Sequence, residues 1–189
     1  LPQSVFMQTI SGGYATDDNE DLPIEVYNPT DIDVILRPDF KTIRSVPWYA
    51  DPTAQVICDA VNLNGSNVVT SSRNVLKKII KLYQEISLQP IVSPELEFYL
   101  VKPNPDPDYP LEVPVGQSGR KETGKQSFGI DAVNEFDPLF EDVYNYCEEQ
   151  NIEIDTINHE SGSAQMEINF QHGDPPVSYT HLRAHETPE

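Results

Sequence analysis

The pattern of apolar and polar positions changes character near residue 71. Before that point, short apolar runs bounded by turn residues predict strands at 31–39 and 54–61. No apolar residues recur with a helical period before residue 72. Residues 1–71 are therefore predicted to form a small, mostly β unit.

Two helices are predicted after residue 71, because apolar residues then recur at three- and four-residue intervals. The first has Ser72 as its expected N-cap and ends before Pro90. The second has Asp137 as its expected N-cap and Pro138 at the first helical position, and its apolar stripe is predicted to be buried. The stripes consist of Val75, Ile79, Leu82, Tyr83 and Ile86 in the first helix, and of Leu139, Phe140, Val143, Tyr144 and Cys147 in the second.

Three strands are predicted around these helices, at 92–101, 152–160 and 164–171. The last two are joined by "SGS", which suits a hairpin. Residues 102–129 are rich in proline, glycine and charge, and a loop of this length inside a compact domain is often functional. The sequence therefore predicts a chain that combines strands with helices.

The charge of the chain excludes some classes of partner. The 189 residues carry 12 basic and 31 acidic side chains, for a net charge of −19. This balance argues against binding to nucleic acid or to an anionic membrane surface. The sequence contains no run of about 18 apolar residues, so it predicts no membrane-spanning helix. The two cysteines, Cys58 and Cys147, form no disulfide framework, so we expect a reducing cytoplasm.

Carboxylates interrupt two of the predicted strands with a two-residue period. Glu95 and Glu97 share one face of the strand at 92–101, and apolar residues take the other face. Glu167 occupies the polar face of the last strand, and Glu160 begins the connecting turn. A half-solvated sheet with an acidic outer face explains this pattern, and so does a site where Mg²⁺ neutralises converging carboxylates. Alternation alone leaves both open.

Several ordered blocks resemble the glutamine synthetase family. "SPELEFYLV" is similar to its Glu-x-Glu strand, and "NHESGSAQMEINFQHGD" to its His-Glu turn leading to Gln-x-Glu-x-Asn. The segment after Asp31 resembles the end of its β-grasp domain, and the segment after Asp108 resembles the bacterial branch that includes γ-glutamyl-polyamine ligases. The resemblance covers residues 3–174. It implies an α+β fold. A β-grasp-like region at 1–71, incomplete at its start, is followed at 72–174 by the first part of a catalytic domain with an antiparallel sheet and helices.

The resemblance implies two sites for Mg²⁺ or Mn²⁺. Glu97, Glu160 and Glu167 match the ligands of the metal next to the glutamate substrate. Glu95 matches a ligand of the second metal, beside the phosphates of the co-substrate ATP. The family completes the second site with a His and a Glu from a later stretch that this sequence does not contain. His159 is expected to have a structural role beside Glu160 and not to be a ligand.

The implied activity is ATP-dependent formation of an amide on the γ-carboxylate of glutamate, through γ-glutamyl phosphate. The nucleophile is ammonia in glutamine synthetase and a polyamine such as putrescine in the alternative. Residues 7–18 lack the Asp-Gly-Ser of the family's ammonium-binding loop, which fits an amine. The resemblance also implies a homo-oligomeric ring. The alternative outside enzymes is an inactive fragment that binds divalent cations.

Both ends of the sequence suggest a piece of a longer protein. The chain begins without Met or a signal segment, and residues 175–189 lack the helix that the family has there, so we expect a non-native tail. Because the matched metal ligands are incomplete, we expect residues 1–189 alone to bind Mn²⁺ without synthetase activity.

Overall fold

The computed structural model describes residues 1–8, 13, 30–106, 108–173 and 175. The expected departure from the ammonium-binding loop at 7–18 and the expected non-native tail at 175–189 therefore lie almost wholly outside the described residues. Two compact units are formed. The first unit contains the described residues of 1–44, 54–91 and 174–189, and the second unit contains those of 45–53 and 92–173.

Four short strands lie between residues 31 and 61, where two were predicted. They are β1 (Ile35–Pro38), β2 (Arg44–Ser45), β3 (Ala54–Gln55) and β4 (Cys58–Val61). In the first unit β1 pairs antiparallel with β4, and Ile35 lies opposite Val61. Val34, Ala60 and Val68 form the buried core beside this pair. Two 3₁₀ turns, Gln3–Met7 and Phe40–Thr42, are the helical segments described before residue 72.

Helix α1 (Ser72–Glu85) is fixed to the first unit through its polar first turn. The N-cap is Ser71, one residue earlier than predicted, because the carbonyl of Ser71 already accepts the N–H of Val75 at 3.0 Å. The buried side chain of Asn74 donates to the carbonyls of Ala60 and Val68 at 2.8 and 3.0 Å. These bonds satisfy two buried carbonyls and set the position of the helix on β4.

The same turn carries a cluster of ion pairs. The guanidinium of Arg73, 8% exposed, donates to the carboxylates of Asp39 and Asp59, and Lys77 donates to Asp59 at 2.7 Å. The hydrogen bond from Arg73 lowers the pKa of Asp39. Burial alone would raise the pKa of Asp59, but the hydrogen bonds from Lys77 and Arg73 outweigh it and lower that pKa.

The apolar stripe predicted on α1 is exposed. Its five residues, Val75 to Ile86, are 41–66% accessible, because the helix is held by Arg73 and Asn74 and nothing in the described part of the chain covers the stripe.

The second unit is built on a three-stranded antiparallel sheet with the order β5–β7–β6. Its strands are β5 (Glu95–Tyr99), β6 (Ile154–His159) and β7 (Gln165–Phe170), and β6 and β7 form the predicted hairpin. The helices are α2 (Ile130–Asn134), which was not predicted, and α3 (Asp137–Glu149). Antiparallel sheets with helices give the α+β fold that the sequence predicts.

Helix α3 differs from its prediction in two respects. Phe136 is the N-cap, so Asp137 is the first helical residue and Pro138 the second. Phe140 alone of the predicted stripe is buried, while Leu139 and Tyr144 are exposed. The helix is fixed instead near its end, where the buried amide of Gln150 donates to the carbonyl of Ser45 at 2.7 Å.

The core of the second unit lies on one face of the sheet. Met166, Ile168 and Phe170 of β7 are buried, together with Phe140 and Ala132. No helix among the described residues is long and apolar enough to cross a membrane. The sequence assigns residues 72–91 to its second region, while contacts group them with the first unit. The domain boundaries at 71 and 174 stay predictions.

Candidate metal centre

The sheet register places two of the predicted carboxylates directly opposite each other. Glu97 of β5 pairs with Glu167 of β7, and Glu95 pairs with Asn169. Directly opposed residues in an antiparallel pair project from the same face. The other face of β7 carries the buried residues Met166 and Ile168. Glu97 and Glu167 are therefore neighbours on the polar face, a proximity that alternation alone left open.

Opposed carboxylates repel each other, and no cationic side chain of the described residues pairs with either Glu97 or Glu167. Their partners are amides. Gln165 donates to Glu97 Oε2 at 3.0 Å, and Asn169 donates to Glu167 Oε1 at 2.6 Å. Amide donors orient a carboxylate but carry no charge of their own, so a bound cation would supply the missing compensation.

The side chain of Gln165 is held in one orientation by the hairpin turn. Its Oε1 accepts the N–H of Gly162 at 2.9 Å and the hydroxyl of Tyr99 at 3.1 Å. This leaves the amide nitrogen facing Glu97. A Cβ on Gly162 would lie 2.7 Å from the ring and hydroxyl of Tyr99, so any other residue here would displace the Tyr99 side chain. The turn thus supports the orientation of the Glu97 carboxylate.

Polar residues of β6 continue the same face. Asn158 lies opposite Glu167, and Thr156 lies opposite Asn169 and accepts a hydrogen bond from it at 3.2 Å. The sequence prediction did not include Asn158. Alternation within 152–160 was the signal, since it places Asn158 and Glu160 on one face.

Glu160 follows β6 directly, and its N–H donates to the carbonyl of Gln165 at 2.7 Å. The expected convergence of Glu97, Glu160 and Glu167 is not formed. Within the described ranges, no three His, Cys, Asp or Glu side chains are grouped closely enough to hold a metal ion together. The carboxylates of Glu97 and Glu167 turn instead toward their amide donors.

The donor chemistry of this face fits a hard divalent cation. Carboxylate and amide oxygens are the ligands that Mg²⁺ and Mn²⁺ prefer. Glu97 and Glu167 present two carboxylates side by side, and Glu95 lies two residues along β5 on the same face. His159 is fully buried, with its Nε2 3.3 Å from Glu122. The expectation that His159 is not a ligand stays a prediction.

Known proteins are similar to this chain in sequence. The family model described as glutamine synthetase, catalytic domain, matches residues 69–179. A glutamate–isopropylamine ligase from Pseudomonas sp is 29% identical over 146 residues, 75% of this chain and 30% of the relative. A glutamine synthetase from Mycolicibacterium smegmatis is 28% identical, over 75% of this chain and 31% of the relative. The γ-glutamylputrescine synthetase PuuA of Escherichia coli is 30% identical, over 68% of this chain and 28% of the relative. The chain spans about 30% of the length of these relatives.

Solved structures share the fold. A novel glutamine synthase homolog superposes with a TM-score of 0.69 and 16% identity, over 97% of this chain and 39% of that chain. A GmaS/ADP complex superposes with a TM-score of 0.60 and 17% identity, over 83% of this chain and 34% of that chain. Since the matching family model covers more than half of the sequence, the chain belongs to the glutamine synthetase family.

Proposed function

We propose that the full-length protein is an ATP-dependent ligase that forms an amide on the γ-carboxylate of glutamate. The observation that carries the proposal is the placement of Glu97 opposite Glu167 on a polar sheet face, without a neighbouring cationic side chain among the described residues. The relatives support it, because their names describe synthetases and ligases, two of which name glutamate and an amine or a γ-glutamyl product.

In this proposal, Glu97 and Glu167 bind Mg²⁺ or Mn²⁺ together with Glu160, and Glu95 contributes to a second metal beside ATP. The bound metals would neutralise charge on the phosphoryl oxygens. Gln165 and Asn169 orient the Glu97 and Glu167 carboxylates through the hydrogen bonds described above. The backbone N–H of Glu160 pairs with Gln165 and continues the hairpin, and we propose that its side chain turns toward the same cation.

The proposed reaction has two steps. The γ-carboxylate of glutamate attacks the γ-phosphorus of ATP, and ADP leaves, giving γ-glutamyl phosphate. The nitrogen of ammonia or an amine then attacks the acyl carbon and loses a proton, and phosphate leaves. Preorganised charge at the site stabilises both transfers. The proposal includes a homo-oligomeric ring and a cytoplasmic location, on the basis of the family resemblance.

Phosphate release by the full-length protein with ATP, glutamate and ammonium or an amine tests this function. We expect release that depends on all three substrates. The competing function is divalent-cation binding without catalysis. Mn²⁺ binding with no phosphate release above background for any nitrogen donor would favour that alternative.

The second candidate within the ligase class uses an alkyl amine or polyamine in place of ammonia. The names of two relatives contain isopropylamine and putrescine, and residues 7–18 depart from the ammonium-binding loop. We predict a kcat/KM for putrescine or a related amine at least about tenfold above that for ammonium, since even one buried methylene contributes about 1–3 kcal/mol. The measurement is amide formation across a panel of amines. Ammonium exceeding every amine would identify glutamine synthesis.

A further inference from the structure

A segment of the long loop is bonded to the chain on both sides of Glu160. The N–H of Phe128 donates to the carbonyl of His159, and the N–H of Lys125 donates to the carbonyl of Ser161, both at 2.8 Å. The hydroxyls of Ser127 and Ser161 lie 3.2 Å apart. Residues 122–128, here called the clasp, therefore hold the backbone before and after Glu160.

A buried polar contact anchors the clasp. Glu122 is 7% exposed and His159 is fully buried, and their Oε1 and Nε2 atoms lie 3.3 Å apart. Neither ring nitrogen of His159 makes an aligned hydrogen bond within the described residues. An uncompensated buried polar group costs about 1–3 kcal/mol. The Glu122 carboxylate is thus the polar group that faces the imidazole next to Glu160.

Glu122 also forms hydrogen bonds within the clasp. Its Oε1 accepts the N–H of Thr123 at 2.8 Å and the amide of Gln126 at 2.7 Å. Gly124 approaches the turn so closely that a Cβ there would lie 3.1 Å from the carbonyl oxygen of Ser161. One carboxylate therefore organises the segment internally and contacts the residue before Glu160.

Two residues of the clasp adopt left-handed backbone conformations that are unfavourable for residues with side chains. Lys125 and Phe128 have φ values of 65° and 61°, in the left-handed region that is uncommon for residues other than glycine. They are the same two residues whose N–H groups bond the chain around Glu160. Strained conformations persist where surrounding contacts determine them, so the clasp is shaped by its contact with residues 159–161.

We propose that the clasp, through Glu122, is a positioning element that holds Glu160 for binding of a divalent cation on the polar face. This inference rests on the proposed function. Glu122 touches neither the cation nor a substrate in this assignment. It acts through His159 and the backbone on both sides of Glu160. The long loop thereby acquires a role in metal affinity that its sequence did not reveal.

The test compares Glu122→Ala and Gly124→Ala in the full-length protein with Glu112→Ala. Glu112 belongs to the same loop, but its carboxylate is exposed and paired with Lys102. Titration calorimetry with MnCl₂ gives the dissociation constant, and amide hydrogen exchange reports on residues 159–163. We expect Glu122→Ala to weaken Mn²⁺ binding about tenfold or more, as is typical of groups that support metal ligands. Exchange at 159–163 should accelerate, and Glu112→Ala should change neither quantity.

Gly124→Ala keeps Glu122 and displaces the clasp by a few tenths of an ångström. It therefore tests the proposal even if Glu122→Ala does not fold. It should weaken Mn²⁺ binding in the same direction by a smaller factor. Glu97→Gln in parallel separates the two proposals. If Glu97→Gln weakens binding and the folded clasp variants keep the wild-type dissociation constant, the clasp assignment is wrong while the metal site stands. If Glu97→Gln has no effect, the proposed metal site fails and the clasp assignment fails with it.

Discussion

Replacing Glu97 by alanine in the full-length protein is expected to reduce kcat by more than about 100-fold with every nitrogen donor. Groups that merely support metal ligands cost about 10–100-fold when removed, and a ligand should cost more. Glu97 is the carboxylate that lies opposite Glu167 and accepts the oriented amide of Gln165. Phosphate release at saturating ATP and glutamate measures the loss.

Two further variants separate charge from packing. Glu97→Gln keeps the shape of the side chain and an oxygen that accepts from Gln165, but it removes the negative charge. It should be nearly as impaired as Glu97→Ala, because a hard cation requires the charge. Glu141→Ala removes an exposed carboxylate from α3 and should leave kcat unchanged. A Glu97→Ala enzyme with kcat near that of the wild type would show that this carboxylate has no part in catalysis.

Replacing Arg73 by alanine is expected to lower the free energy of unfolding of the first unit by about 3 kcal/mol. The variant leaves Asp39 and Asp59 without their shared guanidinium, and removing one partner of a buried ion pair costs about 3–5 kcal/mol. Lys77 still pairs with the Asp59 carboxylate in the variant, so the expected loss lies at the lower end of this range. Hydrogen exchange of peptides covering β4 and α1 measures the local free energy of unfolding.

The matched control is Lys102→Ala, which breaks an ion pair that is exposed on both sides. Its expected cost is below about 1 kcal/mol. Equal effects of Arg73→Ala and Lys102→Ala would contradict the assignment of the cluster as a stabilising contact of α1.

The Arg73 effect should also depend on pH. The pKa values of Asp39 and Asp59 are lowered in the folded protein, so the unfolded chain binds protons more readily. Their stabilisation is complete above the unfolded pKa of about 3.9 and is lost as the pH falls through the lower folded values. The difference in unfolding free energy between wild type and Arg73→Ala should therefore shrink below about pH 4. Urea unfolding at pH 7 and pH 3 tests this, and a difference independent of pH would contradict it.

The strands that carry the carboxylates were predictable because two-residue alternation is a local property. The pattern Glu95, Glu97 and Glu167 identified which residues share the polar face of each strand. It did not determine that Glu97 lies opposite Glu167, since pairing across about 70 residues depends on register. The role of Gln165 likewise depends on the turn at Gly162, which brings Tyr99 against it.

The N-terminal ends of α1 and α3 were predicted within one residue, but α2 was not predicted and the expected burial of the α3 stripe was mostly wrong. The N-cap of α1 is Ser71 and not Ser72. The packing of this turn decides which carbonyl accepts the first helical hydrogen bond. The stripe from Val75 to Ile86 has helical spacing but is exposed, because periodicity identifies an apolar face and not what covers it. The length of the loop at 102–129 indicated a functional segment, but the sequence did not indicate the three-dimensional contact of Glu122 with His159 that forms the clasp.

The most direct measurement of the central claim is anomalous X-ray diffraction from crystals of the full-length protein soaked in MnCl₂. The account predicts a manganese peak on the polar face of the sheet, at about 2 Å from carboxylate oxygens of both Glu97 and Glu167, with Glu160 turned toward the same ion. A peak bonded to neither Glu97 nor Glu167, or no peak at a concentration that supports activity, would contradict it.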